Sequence, residues 1–175
     1  EHNIIQKAVF YQQSIRVPML IRVPWISKEH RMIPGHYGHI DTVPTLLDLM
    51  GVELPDHLQG VSRVPVLEGS DDLSQNDVVI DWTGRDEPNP RHPYLVETDE
   101  IPIWEVEHRT LISHDNWKLT LGSDPIELYD LKNDPYEQNN LSKDPSERSR
   151  IEDMYSRIRK WQEENDDLLE IRTPF

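Results

Sequence analysis

Glu127-Leu128-Tyr129-Asp130-Leu131-Lys132-Asn133-Asp134-Pro135, followed by Glu137, Asn139, Asn140 and Leu141, decides the reading of this chain. Its first five residues make a short strand. Asn133-Asp134-Pro135 then ends it, because Asn-Asp and Asp-Pro favour turns, and Asp130 and Asp134 suit turn and capping roles. Two more strands precede it, at about Arg109–Ser113 and Trp117–Leu121. His114-Asp115-Asn116 and Gly122-Ser123-Asp124-Pro125 are the turn sequences between them. The three read as an antiparallel meander. Val78-Val79-Ile80-Asp81-Trp82 is a further strand, separated from it by a loop carrying Gly84, Pro88, Pro90 and Pro93.

Downstream, Asp144-Pro145-Ser146-Glu147 opens a helix running to about Glu163. Asp144 is placed as N-cap, Pro145 at the first helical position and Glu147 as the acidic partner of a capping box. Ile151, Met154, Tyr155, Ile158, Trp161 and Leu168 recur at helical spacing, and Ile151, Met154, Ile158 and Trp161 are expected to lie on the sheet. The acidic tail from Glu163 to Glu170 is expected to fray. The Tyr155–Trp161 stripe is core packing and not a ligand box.

Upstream, Val17-Pro18-Met19-Leu20-Ile21-Arg22-Val23-Pro24 is a short apolar run bounded by prolines, the pattern of a buried parallel strand. Asp41 through Gly51 reads as a helix, with Asp41 as N-cap, Gly51 as stop, and Ile40, Val43, Leu46, Leu47 and Met50 on one face. Residues 52–76 are turn-rich.

With 175 residues, the chain can form one domain with a core, or a small domain plus part of another. Its apolar fraction is 35% and it holds 14 prolines, so loops are abundant and the core thin. Five Trp and six Tyr argue against disorder. A net charge of −15 repels nucleic acid and anionic lipid. It also repels sulfated polyanions, so a site for such a ligand needs local cations. No apolar run approaches the roughly 20 residues that cross a bilayer. Zero cysteines exclude disulfides and thiolate metal sites, and leave the compartment open.

The 127–141 stretch resembles the signature near the C-terminus of sulfatases, roughly ELYDL-x-x-DP-x-E-x-x-NL. Two other segments resemble the same family in the same order. One is Glu1-His2 through Lys7, Tyr11, Ser14, Arg16-Val17-Pro18 and Ile21-Arg22-Val23-Pro24. The other is Ile40 through Gly51, with Pro55 and Gly60 after it. The resemblance implies an α+β fold: a small antiparallel sheet packed on a long C-terminal helix, preceded by the last strand and helix of the large α/β sulfatase domain. It places residues 1–60 at the end of that large domain, 61–75 in connecting loops and 76–175 in the small one. It implies sulfate ester hydrolysis by the intact enzyme, with a formylglycine nucleophile and a divalent metal, usually calcium, both encoded upstream of Glu1. The isolated chain is therefore expected to be inactive and to bind no metal alone. Its expected partners are the upstream sulfatase domain, or a second copy of the chain, and a sulfated small molecule or glycan. A phosphonate or phosphate ester hydrolase of the same superfamily is one alternative, and a non-catalytic interaction domain derived from a sulfatase is another.

By the same resemblance Lys7 is the lysine that contacts the sulfate oxygens, and His2 lies on the substrate side of the rim. A compact ammonium suits charge building on a leaving sulfate ester. Other constellations read as structural. His36-x-x-His39 has metal-like spacing, but Pro34, Gly35 and Gly38 make it a loop. Asp71, Asp72, Asp77 and Asp81 lack calcium-loop spacing and read as a solvated acidic loop. Arg109 and Lys118 fall on strands edging the implied cleft, where ion pairing is the simpler reading.

Overall fold

A computed structural model describes residues 9–84, 106–122 and 126–175. They form two compact units. Those within Glu1–Val17, Val79–Leu111 and Asn116–Phe175 make the first, and those within Pro18–Val78 and Ile112–Asp115 the second.

A four-stranded antiparallel sheet runs β1 (Val78–Trp82), β2 (His108–Ile112), β3 (Trp117–Leu121) and β4 (Glu127–Asp130), with neighbours in sequence paired in that order. β1 and β3 keep the limits read from sequence, β2 is shifted by one residue at both ends, and β4 stops one residue short. Trp117 pairs with Asp130, Lys118 with Tyr129, Leu119 with Leu128 and Thr120 with Glu127. Side chains alternate across a strand, so this register sorts the sheet into two faces. Leu111, Leu119, Leu121 and Leu128 share one face and form a core with Ile151, Met154 and Ile158. The other face carries Lys118, Thr120, Glu127 and Tyr129, all buried except at their edges.

The helix covering the leucine face follows α1 (Gln12–Ile15), α2 (Thr42–Leu49) and α3 (Val64–Glu68), and is α4 (Arg148–Glu164). A 3-10 turn over Pro145–Glu147 leads into it. The Asp144 carboxylate accepts from the Ser146 amide at 2.9 Å, as an N-cap should. Glu147 takes Arg150 at 3.2 Å instead of reaching back to Asp144. Burying Ile151, Met154 and Ile158 contributes about 1.5–3 kcal/mol each. Trp161 is only half-buried, and Gln162 takes the inner position in its place. The reason lies in the tail, which does not fray as expected. Gln162 Nε2 donates to Asp167 at 2.8 Å and to the Leu169 carbonyl at 2.9 Å, which folds the residues after the helix back along it. Leu168, read as part of the stripe, lies beyond the helix end and is 91% exposed.

In the second unit α2 forms with Gly51 in the left-handed region at φ +68°, the stop that glycine permits. Asp41 does not cap it. Its carboxylate receives Arg63 Nε at 2.6 Å and the Val61 amide at 2.9 Å. Arg63 reaches on to Asn76 at 2.7 Å, and Asn76 donates to the His36 carbonyl at 2.7 Å. These bonds tie three loops around the start of α2. The helix α3 arises inside the stretch read as turns, with Pro65 in its first turn and Gly69 at its end.

The run Met19–Val23 forms no strand, and Leu20 is 88% exposed. Likewise the expected inner face of α2 is open, with Ile40 55% and Met50 67% exposed. Both expectations needed a parallel sheet to supply a ladder and a cover, and the described residues contain none. Gly60 marks the tightest approach in this unit, because a Cβ there would collide with the Ile40 carbonyl. Gly60→Ala should lower stability by about 1–3 kcal/mol, read from urea unfolding midpoints. A change under about 0.5 kcal/mol would contradict so close a contact.

Candidate functional site

Lys7 and His2 lie outside the described residues. The other candidates separate. The His36 carbonyl serves Asn76 as described, and Asp71 and Asp72 spend their carboxylates on amides of their own turn at 2.8 Å. Asp77 holds both the amide and the Nδ1 of His114, at 2.9 and 3.0 Å. Among the described residues no group of three or more His, Cys, Asp or Glu converges as metal ligands would. These residues therefore do not fit a divalent cation, and none is assigned to one.

What the first unit does bring together is a buried polar cluster on the second face of the sheet. Lys118 and Glu137 form an ion pair whose side chains are wholly enclosed. The same ammonium donates to the Phe10 carbonyl. The second carboxylate oxygen of Glu137 accepts the Gln12 amide at 2.7 Å. Beside them Glu127 accepts from Tyr11 at 3.2 Å and from Tyr129 at 2.7 Å. The Phe10 ring meets His108 edge-on with centroids 4.6 Å apart, and Lys118 Nζ lies 5.2 Å from the Phe10 centroid. Residues 9–12 thus cover this sheet face much as α4 covers the other.

Local sequence explains the placement. Lys118 and Glu127 face the same side because Lys118 registers with Tyr129 and Thr120 with Glu127. Glu137 comes from the loop after β4, where its backbone is left-handed at φ +57° and its amide donates to the Asp134 carbonyl at 3.1 Å. An L residue adopts that conformation at a cost of about 1–2 kcal/mol. The carboxylate's two contacts with Lys118 and Gln12 offset it.

Burial pushes the Lys118 ammonium below the usual lysine range, and Glu137 opposes that. Burial, reinforced by Glu127, pushes the Tyr11 and Tyr129 phenols well above theirs. Burial also pulls His108 down to about 4, so the ring is neutral at pH 7, with Nδ1 3.1 Å from the Val106 carbonyl. Among the described residues no buried side-chain nitrogen or oxygen lacks a hydrogen-bond partner. Every acid here is occupied as an acceptor and the lysine as a donor. The arrangement is suited to holding a chain segment, and it offers no free nucleophile.

Across the sheet Arg109 grips Asp167 through two bonds of 2.7 and 2.6 Å, the ion pair expected of it. Those bonds hold the Asp167 carboxyl down at about 2. Two acid limbs should follow. His108 resists protonation in the folded state, so stability should fall as pH drops from about 6.5 toward 4, where the unfolded ring takes its proton first. The Asp167 contribution is complete above its ordinary value of 3.8 and is lost as pH falls through about 2. Urea midpoints against pH should show both limbs. His108→Gln should flatten the upper and Asp167→Asn the lower. An upper limb unchanged in His108→Gln would contradict the assignment.

The ion pair expected at Lys118 is present, but reading the sequence named neither its partner Glu137 nor the role of Glu127. A signal was present: both acids sit in the 127–141 stretch, and Glu127 alternates with Tyr129 on one strand face.

Comparison with known proteins gives the family. Residues 1–164 match the family of N-sulphoglucosamine sulphohydrolase C-terminal regions. An N-acetylglucosamine-6-O-sulfatase of Bacteroides thetaiotaomicron is 38% identical over 68 residues, which is 39% of this chain and 12% of that protein. The human N-acetylglucosamine-6-sulfatase is 34% identical over 95 residues, 52% of this chain and 17% of that protein. The solved structure of a 2-O GAG sulfatase aligns with a TM-score of 0.55 at 25% identity, over 76% of this chain and 27% of that one. The chain therefore spans a small fraction of the length of the relatives it matches. With the match running from the first residue through α4, the chain belongs to the sulfatase family, in the part described as the C-terminal region of N-sulphoglucosamine sulphohydrolase.

Proposed function

We propose that this chain is the C-terminal part of an enzyme that hydrolyses sulfate groups on an amino sugar. The observation that carries this is the family match over residues 1–164. The names of the two relatives above, both N-acetylglucosamine 6-sulfatases, support the substrate class. In this reading residues 1–60 complete a large α/β domain, 61–75 connect, and 76–175 form the small domain beside it. That large domain supplies the nucleophile and a divalent cation, calcium by the family resemblance. From this chain, Lys7 contacts the sulfate oxygens and His2 lies at the substrate rim. The ammonium neutralises charge that grows on the sulfate as its ester bond breaks, and a preorganised cation in a dry site stabilises the transition state more than the ground state. The strongly negative net charge keeps long polyanions away, so Lys7 is also the local attraction a sulfated sugar needs.

The test is a substrate panel on the intact enzyme: 6-sulfated N-acetylglucosamine, N-sulfated glucosamine, an aryl sulfate and a phosphonate monoester. A kcat/KM at least about 10-fold higher for a sulfated sugar than for the phosphonate is expected, about 1.4 kcal/mol in favour of sulfate. Preference for the phosphonate would overturn the reading.

A further inference from the structure

Residues 9–16 are held to the sheet by partners far away in sequence. Lys118 takes the Phe10 carbonyl, Glu127 the Tyr11 hydroxyl and Glu137 the Gln12 amide, across separations of 108, 116 and 125 residues. The chain leaves the first unit after Val17 and returns to it at Val79, folding the second unit in between. The segment is therefore an arm: a clasp ties it to the sheet, while the covalent link between them runs through a folded insertion.

The joint of the arm is Val17–Val23. It forms no helix or strand, and Val17, Met19, Leu20 and Ile21 are exposed. Among the described residues, no amide of Met19–Val23 donates to a backbone carbonyl. Yet the run has the composition of a strand, and it lies between Pro18 and Pro24, whose missing N–H groups bound it. What it lacks is a neighbour. Unpaired strand backbone seeks one, and an antiparallel pair about a two-fold axis is an arrangement two identical runs can share. Centred on Ile21, such a pair sets Met19 against Val23 and Leu20 against Arg22. The two Arg22 side chains then do not fall directly opposite one another, where like charges would repel.

We propose that two copies of this chain exchange arms: Phe10–Gln12 of each copy sits in the Lys118–Glu137 clasp of the other, and the two Met19–Val23 runs pair antiparallel where they cross. The clasp contacts are the same whether the arm comes from its own copy or from the other, so they do not choose between the two forms. The joint chooses. Folded back, its backbone is left to water. Exchanged, it gains a ladder and covers apolar side chains. Exchange of an identical element is a low-cost route to a dimer for this reason. The inference does not rest on the sulfatase reading. It concerns the chain of 175 residues, and an upstream region that gave Met19–Val23 a neighbour would take the place of the second copy.

The experiment uses the pure chain. Light scattering after gel filtration, over about a 100-fold range of concentration, should show a dimer that dissociates on dilution. The chain has no cysteine, so a single introduced one can link only two copies. Ile21→Cys lies opposite itself, with Cα atoms about 4.5–5.5 Å apart, and should oxidise to a covalent dimer. Leu20→Cys lies diagonal to its counterpart at about 7–8 Å, beyond the span of a disulfide, and should link at least about 10-fold more slowly. Inserting about six Gly and Ser residues after Arg16 leaves the run intact but eases the arm back onto its own sheet, and should weaken the dimer about 10-fold or more. A monomer throughout the concentration range would refute the proposal. So would Leu20→Cys linking as fast as Ile21→Cys, which would place the contact elsewhere. A dimer indifferent to the insertion would mean that the runs pair side by side with each arm at home, and exchange would be wrong.

Discussion

Lys7→Ala in the intact enzyme should lower sulfate ester turnover about 100-fold or more if the proposed role holds, equivalent to about 2.7 kcal/mol on the barrier. The magnitude follows from the proposed role. An ammonium placed against sulfate oxygens is worth most where charge accumulates and water is excluded. Because that charge grows toward the transition state, kcat should fall more than KM rises. Steady-state kinetics on an aryl sulfate give the answer. A variant within about 3-fold of wild type would remove Lys7 from the site and leave it as one more surface cation, the usual place of a lysine.

Glu137→Leu, and separately Lys118→Met, should each destabilise the fold by about 3–5 kcal/mol. Neither side chain has any exposed surface, so each deletion strands its partner in a place without water. For Glu137→Leu the stranded group is the ammonium, whose pKa burial already lowers. Loss of its proton caps the cost, so this variant should unfold more readily as pH falls and Lys118 is forced to charge. For Lys118→Met the stranded group is a carboxylate that keeps only the Gln12 amide as donor. Urea unfolding at pH 6 and pH 8 separates the two cases. Losses below about 1 kcal/mol for both would mean that the cluster is open to water in solution.

The sheet and helix of the first unit were legible because short strands, turn residues and a capped amphipathic helix are local signals. Trp117–Leu121 and Val78–Trp82 were read to the residue, and the helix ends at Glu164 against an expected Glu163. The second face of the same sheet was legible only in part: an ion pair was expected at Lys118, but neither its partner nor its burial was read. Lys118 and Glu137 are residue types that live on surfaces, and burial came from a segment 108 residues upstream of Lys118. Nothing near either position announces that cover. Asp41 failed for a related reason. Its position before a helix was read correctly, but Arg63, 22 residues on, competes for the carboxylate and wins it with a charge-assisted bond. Met19–Val23 shows the opposite limit. Its composition suits a buried strand, yet a strand exists only with neighbours to bond, and pattern alone does not supply them. Of the candidate site, only the family resemblance pointed to Lys7 and His2, since no spacing or composition singles out a lone lysine.

The most direct test of the central claim sets the pure 175-residue chain beside the intact enzyme in one assay of sulfate release from an aryl sulfate, with calcium present. The account predicts saturable release by the intact enzyme and none above background by the chain. On the proposed reading Lys7 supplies only a cation, the nucleophile and metal belong to the upstream domain, and among the described residues no group converges as a metal site. Metal-dependent turnover by the pure chain would contradict it.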